Sequence, residues 1–174
     1  MAGPVVAACV LLKNRASFSV RIDDSKKLSP AHRFAAYQEI LKSAEVGVGI
    51  VDAQTIDRVR ILEATLLAMR HAVESLARKP QLVLIDGLHT PSDLKPRAEP
   101  VVRGDQQSLS IACASIVAKV VRDDLMAWYD KLYPKYGFAK HKGYGTRYHS
   151  QQLQRHGPCP IHRQSFAPVR GSLN

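Results

Sequence analysis

Hydrophobic positions along the chain fall into runs of two kinds. Residues 4–12, PVVAACVLL, are apolar without a break and rich in β-branched side chains, the pattern of a strand covered on both faces. Residues 17–22, SFSVRI, alternate with period two and predict a strand with one wet face. DDSKKLSP is a loop whose end, Ser29–Pro30, has the form of an N-cap followed by proline at the first helical position. The next stretch, AHRFAAYQEILKSA, continues as a helix, and VGVGIV (46–51) predicts a short strand. Across 55–78, Ile56, Val59, Leu62, Leu66, Met69, Val73 and Leu76 recur three or four apart, which predicts a helix with one core stripe. Strand 82–85 follows and ends at Asp86 and Gly87. Three prolines make 88–100 a loop, PVVRG after it a short strand, and 108–132 a helix with Leu109, Ala112, Ile116, Val120 and Leu125 inward. Residues 133–146 are loop-like, 147–155 a short helix, and the proline-bearing tail is irregular. Strands alternating with helices predict an α/β domain with a partly parallel sheet.

The chain has 174 residues, 45% of them hydrophobic, enough for one domain with its own core. No apolar run approaches the roughly 20 residues that cross a bilayer. MAGPVVAACVLL lacks the basic start of a signal peptide, so the expectation is a cytoplasmic protein, read as a monomer. Cys9, Cys113 and Cys159 show no metal-ligand spacing, and Cys9 and Cys113 read as small buried hydrophobes. The formal charge of +10 suits a polyanionic partner. Its distribution sharpens that reading. From Lys131 to Asn174 there are eight Lys and Arg and no Asp or Glu, interleaved with four histidines and six Tyr and Phe. Cations beside aromatic faces fit phosphates, sugars and bases; the plainer reading is a solvated basic surface.

Candidate chemistry is sparse. No phosphate loop, dinucleotide fingerprint, GxSxG or HExxH occurs. Reactive groups of open α/β sheets gather at the carboxyl ends of strands. Asp86 stands at one such end, and Asp105 follows another just before a helix. Either alone reads as a turn or helix-start acid. Together they can hold a hard cation such as Mg²⁺. A pair of such ions about 3.5–4 Å apart serves phosphodiester cleavage, but holding both calls for more carboxylates. Asp23, Asp24, Asp52 and Asp123 are not evident partners. His141 and His149 could form a catalytic pair, though loop histidines among lysines are more often surface or backbone-bonding groups.

Six ordered blocks resemble ribonuclease HII: DSKKLS (24–29), the ID…IL.AT..AM pattern (56–69), LVLIDG (82–87), GDQQSLSIACASIVAKVVRD (104–123), YPKYGFAKHKGYGTRYH (133–149) and GPCPIHRQSFAPV (157–169). The resemblance covers nearly the whole chain. It implies a ribonuclease H-like three-layer α/β fold with a mixed sheet and a helical C-terminal extension. In those terms 1–132 would be the core, and 133–174 a basic substrate-binding segment of the same domain. It implies an endonuclease that cleaves the RNA strand of RNA–DNA hybrids and nicks 5′ of single ribonucleotides in DNA, using Mg²⁺ or Mn²⁺. By position, Asp86 and Asp105 resemble two of four metal-binding carboxylates. Tyr144 resembles the tyrosine that packs on the deoxyribose, and Ser25 and Lys26 the loop that contacts the backbone; Lys142 joins them as a substrate-binding candidate. The family's other two carboxylates belong to a DE.GRG motif on a first, central strand before the AGPVVAA segment, and that motif is absent here. Arg60 replaces a usual asparagine, and Cys113 an alanine. The expectation is therefore an incomplete metal site and an inactive chain. The alternative is a non-catalytic basic module that binds nucleic acid.

Overall fold

The computed structural model describes residues 1–13 and 17–172. Among the described residues four strands and six helices follow in the order β1 (Val5–Leu12), α1 (Pro30–Ser43), β2 (Ala44–Val51), α2 (Ala53–Glu74), β3 (Leu82–Asp86), β4 (Arg97–Val101), α3 (Leu109–Leu132), α4 (Phe138–His141), α5 (Arg147–His156) and α6 (Ala167–Arg170), with a 3₁₀ turn at Gly104–Gln106. The α/β class read from the sequence holds. Among the described residues no helix is long and apolar enough to cross a membrane.

The chain divides into two compact units. One holds Val6–Ile50 and Thr65–Val120; the other holds Met1–Val5, Val51–Ala64 and Val121–Asn174. In the first unit β1 pairs with β2 and β3 with β4, as two separate two-stranded sheets. The β3–β4 pair is parallel, with Leu82 opposite Arg97 and Asp86 opposite Val101. Val73, Val83 and Ile85 form a core cluster there, joined by Cys9, Met69, Leu94 and Ala98. In the second unit Ala2, Met126, Tyr136, Phe138 and Ile161 pack together.

Ser29 caps α1 through its hydroxyl, which accepts from the His32 amide, with Pro30 behind it. Asp52 caps α2, its carboxylate accepting from the Thr55 amide at 2.7 Å. The VGVG stretch lies in β2 for a packing reason. A Cβ at Gly47 or Gly49 would stand 2.0 and 1.9 Å from the carbonyl oxygens of Ala72 and Ala68. Strand and helix backbones touch there, and only glycine facing alanine permits that approach.

Four expectations need correction. Residues 17–22 are irregular, not a strand. No other described strand pairs with them, and the Arg21 guanidinium turns to the Asp23 carboxylate nearby. The strand placed at PVVRG begins earlier, at Arg97, and runs through Pro100; an edge strand tolerates a proline because one side of it needs no amide donor. The single stripe of α2 is broken, because Arg60 takes φ 70°, ψ 164° and interrupts the helix. Ile56 is buried before the break, Val59 and Leu62 are exposed, and beyond it Ala64, Ala68 and Ala72 are buried, the last two against the glycines of β2. Leu109 is exposed at the first turn of α3, whereas Ala112, Ile116 and Val120 are buried as expected.

Candidate active site

Asp86 ends β3 and Asp105 lies in the 3₁₀ turn after β4, so both belong to the unit that holds the two sheets. Parallel pairing of β3 with β4 sets Asp86 opposite Val101 and brings the following turn to it. The Gly104 amide donates to Asp86 Oδ1 at 2.8 Å, which fixes that carboxylate against the residue before Asp105. Arg103, in the left-handed region at φ 55°, turns the chain; Gln107 and Ser108 then donate to the Gly104 carbonyl, starting the path into α3. Gly104 is buried, and a Cβ on it would stand 2.5 Å from Ile111 Cδ1. The absence of a side chain therefore lets the amide reach Asp86. Asp86 is exposed and Asp105 half-buried. The register and the Gly104 bond bring the backbone just before Asp105 to the end of the strand that carries Asp86.

The pair suits a hard divalent cation in the mode that uses one or two protein carboxylates plus substrate phosphates. Among the described residues no group of three or more His, Cys, Asp and Glu is placed to hold a metal ion. Asp86 and Asp105 could supply at most two carboxylates to such a cation.

Ser25 is buried in the same unit, and its hydroxyl shares a 2.8 Å hydrogen bond with Ser115 on α3. Its carbonyl accepts from Arg33 Nε at 2.8 Å. The Asp24 carboxylate accepts from the Lys26 amide at 2.9 Å, which shapes the turn and leaves the Lys26 side chain exposed. Ser25 thus anchors the loop that presents Lys26.

Tyr144 and Lys142 lie in the other unit. The Tyr144 ring is 56% exposed, with the Arg122 guanidinium 5.0 Å from its centroid. Lys142, at φ 51°, directs its ammonium toward the Asp123 carbonyl at 3.4 Å. Arg122 also donates to the Pro4 carbonyl at 3.3 Å, while its Nη1 is buried and finds no hydrogen-bond partner among the described residues. Arg122 is the residue that sequence reading passed over: inside a helix its spacing resembles any solvated cation.

His141 and His149 are not poised for catalysis. Both are buried, their rings stack at 4.2 Å, and their nitrogens are committed to neighbours. His149 Nε2 meets His162 Nε2 at 3.1 Å, and His162 Nδ1 accepts from the Cys159 amide at 3.0 Å. Burial, with help from neighbouring charges, lowers His149 and His162 to about 4. Burial also raises the Cys9 thiol to about 11 and the Cys113 thiol to about 12, so both stay protonated and inert at neutral pH.

A sequence profile described as Ribonuclease HII matches residues 1–169. The chain is 51% identical over 170 residues to the ribonuclease HII of Lactobacillus delbrueckii subsp. bulgaricus, covering 97% of this chain and 65% of that protein. It is 49% identical to the ribonuclease HII of Bacillus pumilus, covering 100% of this chain and 68% of that protein. The chain thus spans about two thirds of the length of these relatives. Among solved structures it resembles the ribonuclease H2 of Pyrococcus horikoshii OT3, with TM-score 0.73 and 20% identity over 98% of this chain and 92% of that one. It also resembles Bst-RNase HIII solved in complex with Mn²⁺, with TM-score 0.68 and 15% identity over 99% of this chain and 65% of that one. At those identities the likeness speaks for the fold.

Proposed function

The chain belongs to the ribonuclease HII family, and from that premise we propose that it is built to cleave the RNA strand of RNA–DNA hybrids and to nick 5′ of single ribonucleotides in duplex DNA. The observation that carries the reading is the Asp86 carboxylate held on the Gly104 amide, beside Asp105 at the end of a parallel strand pair. These two carboxylates would hold Mg²⁺ or Mn²⁺, and the Mn²⁺ complex of the related fold supports that class of cation. Bound divalent ions supply an activated water and charge neutralisation at the leaving oxygen. The protein's own part is positional. Gly104 orients Asp86 through its Oδ1. Lys26 offers an exposed cation to a phosphate, and the Tyr144 ring, backed by Arg122, offers an apolar face to a sugar.

Two carboxylates are half of the set that the resemblance implies. The 174-residue chain therefore binds Mg²⁺ weakly, and its nicking stays at background. The test is a duplex with one embedded ribonucleotide, incubated with Mg²⁺ and either the chain as it stands or the chain fused to a family DE.GRG segment. The fusion nicks, and Asp86→Asn or Asp105→Asn within it abolishes the activity. Robust Mg²⁺-dependent nicking by the unfused chain refutes the two-carboxylate account. The run of eight cations from Lys131 onward without a single acid favours a second reading, a binding module without chemistry. That module would bind duplexes with steep salt dependence, indifferent to both substitutions even in the fusion.

A further inference from the structure

Tyr144 sits on the link between α4 and α5, residues 142–146, which has no helix or strand of its own. Lys142 and Gly143 before it both take the left-handed region, at φ 51° and 78°. A ring that is 56% exposed cannot fix its own backbone by packing. Imidazoles bond that backbone instead. The buried His141 ring accepts on Nδ1 from the Gly143 amide at 3.2 Å and donates from Nε2 to the Tyr136 carbonyl at 2.8 Å. His149, wholly buried on α5, donates from Nδ1 to the Tyr144 carbonyl at 2.8 Å. His162 meets it Nε2 to Nε2 at 3.1 Å and is itself tied to the Cys159 amide. The His141 and His149 rings stack with their planes 14° apart, and the Phe138 ring stands edge-on to both. The Gly143 amide and the Tyr144 carbonyl, one on each side of the residue, are thus bonded to buried rings. Apolar side chains in that space would leave both groups stranded. An exposed ring on a base fixed in this way loses little freedom when a ligand covers it.

We propose that His149 is a positioning residue for substrate binding: by holding the Tyr144 carbonyl it presents the Tyr144 ring, already oriented, to a sugar of the bound duplex, and His162 keeps the donor proton on the nitrogen that faces Tyr144. The proposal rests on the reading of Tyr144 as the sugar-contacting ring, and deepens it by assigning the residue that aims that ring. The choice of nitrogen follows from where the protons are. The Cys159 amide occupies the lone pair of His162 Nδ1, so the His162 proton lies on Nε2 and faces His149 Nε2. His149 accepts there and carries its own proton on Nδ1, towards Tyr144. The ring must be neutral for this, and burial favours the neutral form by lowering His149 to about 4.

The test is the affinity of the 174-residue chain for a labelled duplex with one embedded ribonucleotide, read by fluorescence anisotropy at neutral pH without divalent metal. Nicking is then not a readout, and the outcome is independent of it. Asparagine places its amide nitrogen as many bonds from Cα as Nδ1 and keeps the donor to Tyr144; glutamine reaches towards His162 and loses that donor. Tyr144→Ala weakens binding about tenfold, the scale of one aromatic contact. His149→Gln weakens it about threefold to tenfold, the scale of one hydrogen bond, while His149→Asn stays within about twofold of the unaltered chain. In a Tyr144→Ala chain His149→Gln adds nothing further, because a residue that acts through the ring has no effect without it. A structural role alone would cost binding in both His149 variants alike and would persist without the ring; either result overturns the proposal. If Tyr144→Ala weakens binding and His149→Gln does not, the positioning role fails and the sugar contact stands. If Tyr144→Ala leaves binding unchanged, the sugar contact fails and the proposal with it. Imidazole ¹⁵N shifts of the unaltered chain add a measurement that needs no variant to fold. They should show Nδ1–H at His149 and Nε2–H at His162, and an Nε2–H or charged His149 at neutral pH overturns the proposal.

Discussion

Acid should destabilise the second unit through its imidazoles, and the hydrogen bonds define how. The Tyr144 carbonyl can only accept, so His149 Nδ1 carries the proton it donates over 2.8 Å. Neutral His149 then offers Nε2 as an acceptor. His162 Nδ1 accepts from the Cys159 amide, so His162 carries its proton on Nε2 and donates it to His149 Nε2 at 3.1 Å. Protonating His149 sets two donors face to face; protonating His162 aims a new donor at the Cys159 N–H. Burial already disfavours either charge, and both groups are lowered from 6.5 to about 4.

A folded-state pKa below the unfolded one means that the unfolded chain takes up the proton first. Stability is then complete above the unfolded value of 6.5 and falls as pH drops from there towards 4. The slope approaches about 1.4 kcal/mol per pH unit for each group that titrates. The first of the coupled pair alone removes about 3 kcal/mol across the window, against a total domain stability of about 5–15 kcal/mol. With a urea m-value of about 2 kcal/mol/M, the midpoint moves down by roughly 1.5 M. The α-amino group of Met1, lowered from 8.0 to about 5 by burial and by Arg163 and Arg122, has the same sign but begins to act at pH 8. Urea unfolding from pH 8 to 4.5 separates them: the amine alone acts above 6.5, and the curve steepens below it. His156, exposed at the end of α5, serves as control, and His156→Gln keeps the steepening. A midpoint that falls no faster below pH 6.5 than above it refutes the imidazole argument.

Two further outcomes follow from the backbone. Gly104→Ala costs about 1–3 kcal/mol by overpacking against Ile111 Cδ1, and Ile111→Val alone costs about 0.5–1.5 kcal/mol. The double variant, which removes the clashing methyl, should cost clearly less than their sum in urea unfolding; strict additivity means that Gly104 is not held by that contact. Arg60→Gly should raise the melting temperature, because φ 70° with ψ 164° is a conformation costing other residues about 1–3 kcal/mol, while glycine's extra unfolded-state entropy takes back about 1 kcal/mol. Arg60→Ala keeps the strain and should not raise it, and equal melting of the two variants argues against strain at this position.

What could be read from the chain was what hydrophobic period and local chemistry encode. The apolar run of β1, the Ser29–Pro30 start of α1, the strand ending at Asp86 and the long α3 were all legible, because each depends on neighbours close in sequence. The juxtaposition of Asp86 with Asp105 was legible only as an expectation, since 18 residues separate Asp86 from Gly104 and the parallel register brings them together. The failures share a different cause. Leu62 resembles a core residue on a helical wheel, and Ala68 resembles filler. Yet the helix breaks at Arg60, and the glycines of β2 leave space only for alanine opposite them. Nothing in the α2 sequence announces that its partner strand has no side chains at those positions.

The histidines show the same limit from the side of polarity. In sequence, His141 and His149 lie among lysines in a basic, loop-like segment, where surface or backbone-bonding histidines are the more common reading and a catalytic pair the lesser one. In the structure each is nearly or fully buried, and each ring satisfies backbone groups that would otherwise be stranded. A polar residue can occupy a core when its hydrogen bonds are complete, and completeness is a property of the fold. β1 presents the converse. Its sequence asks for apolar cover on both faces, and among the described residues the fold leaves most of it half-covered. A polar segment that proves buried has found its partners within the chain.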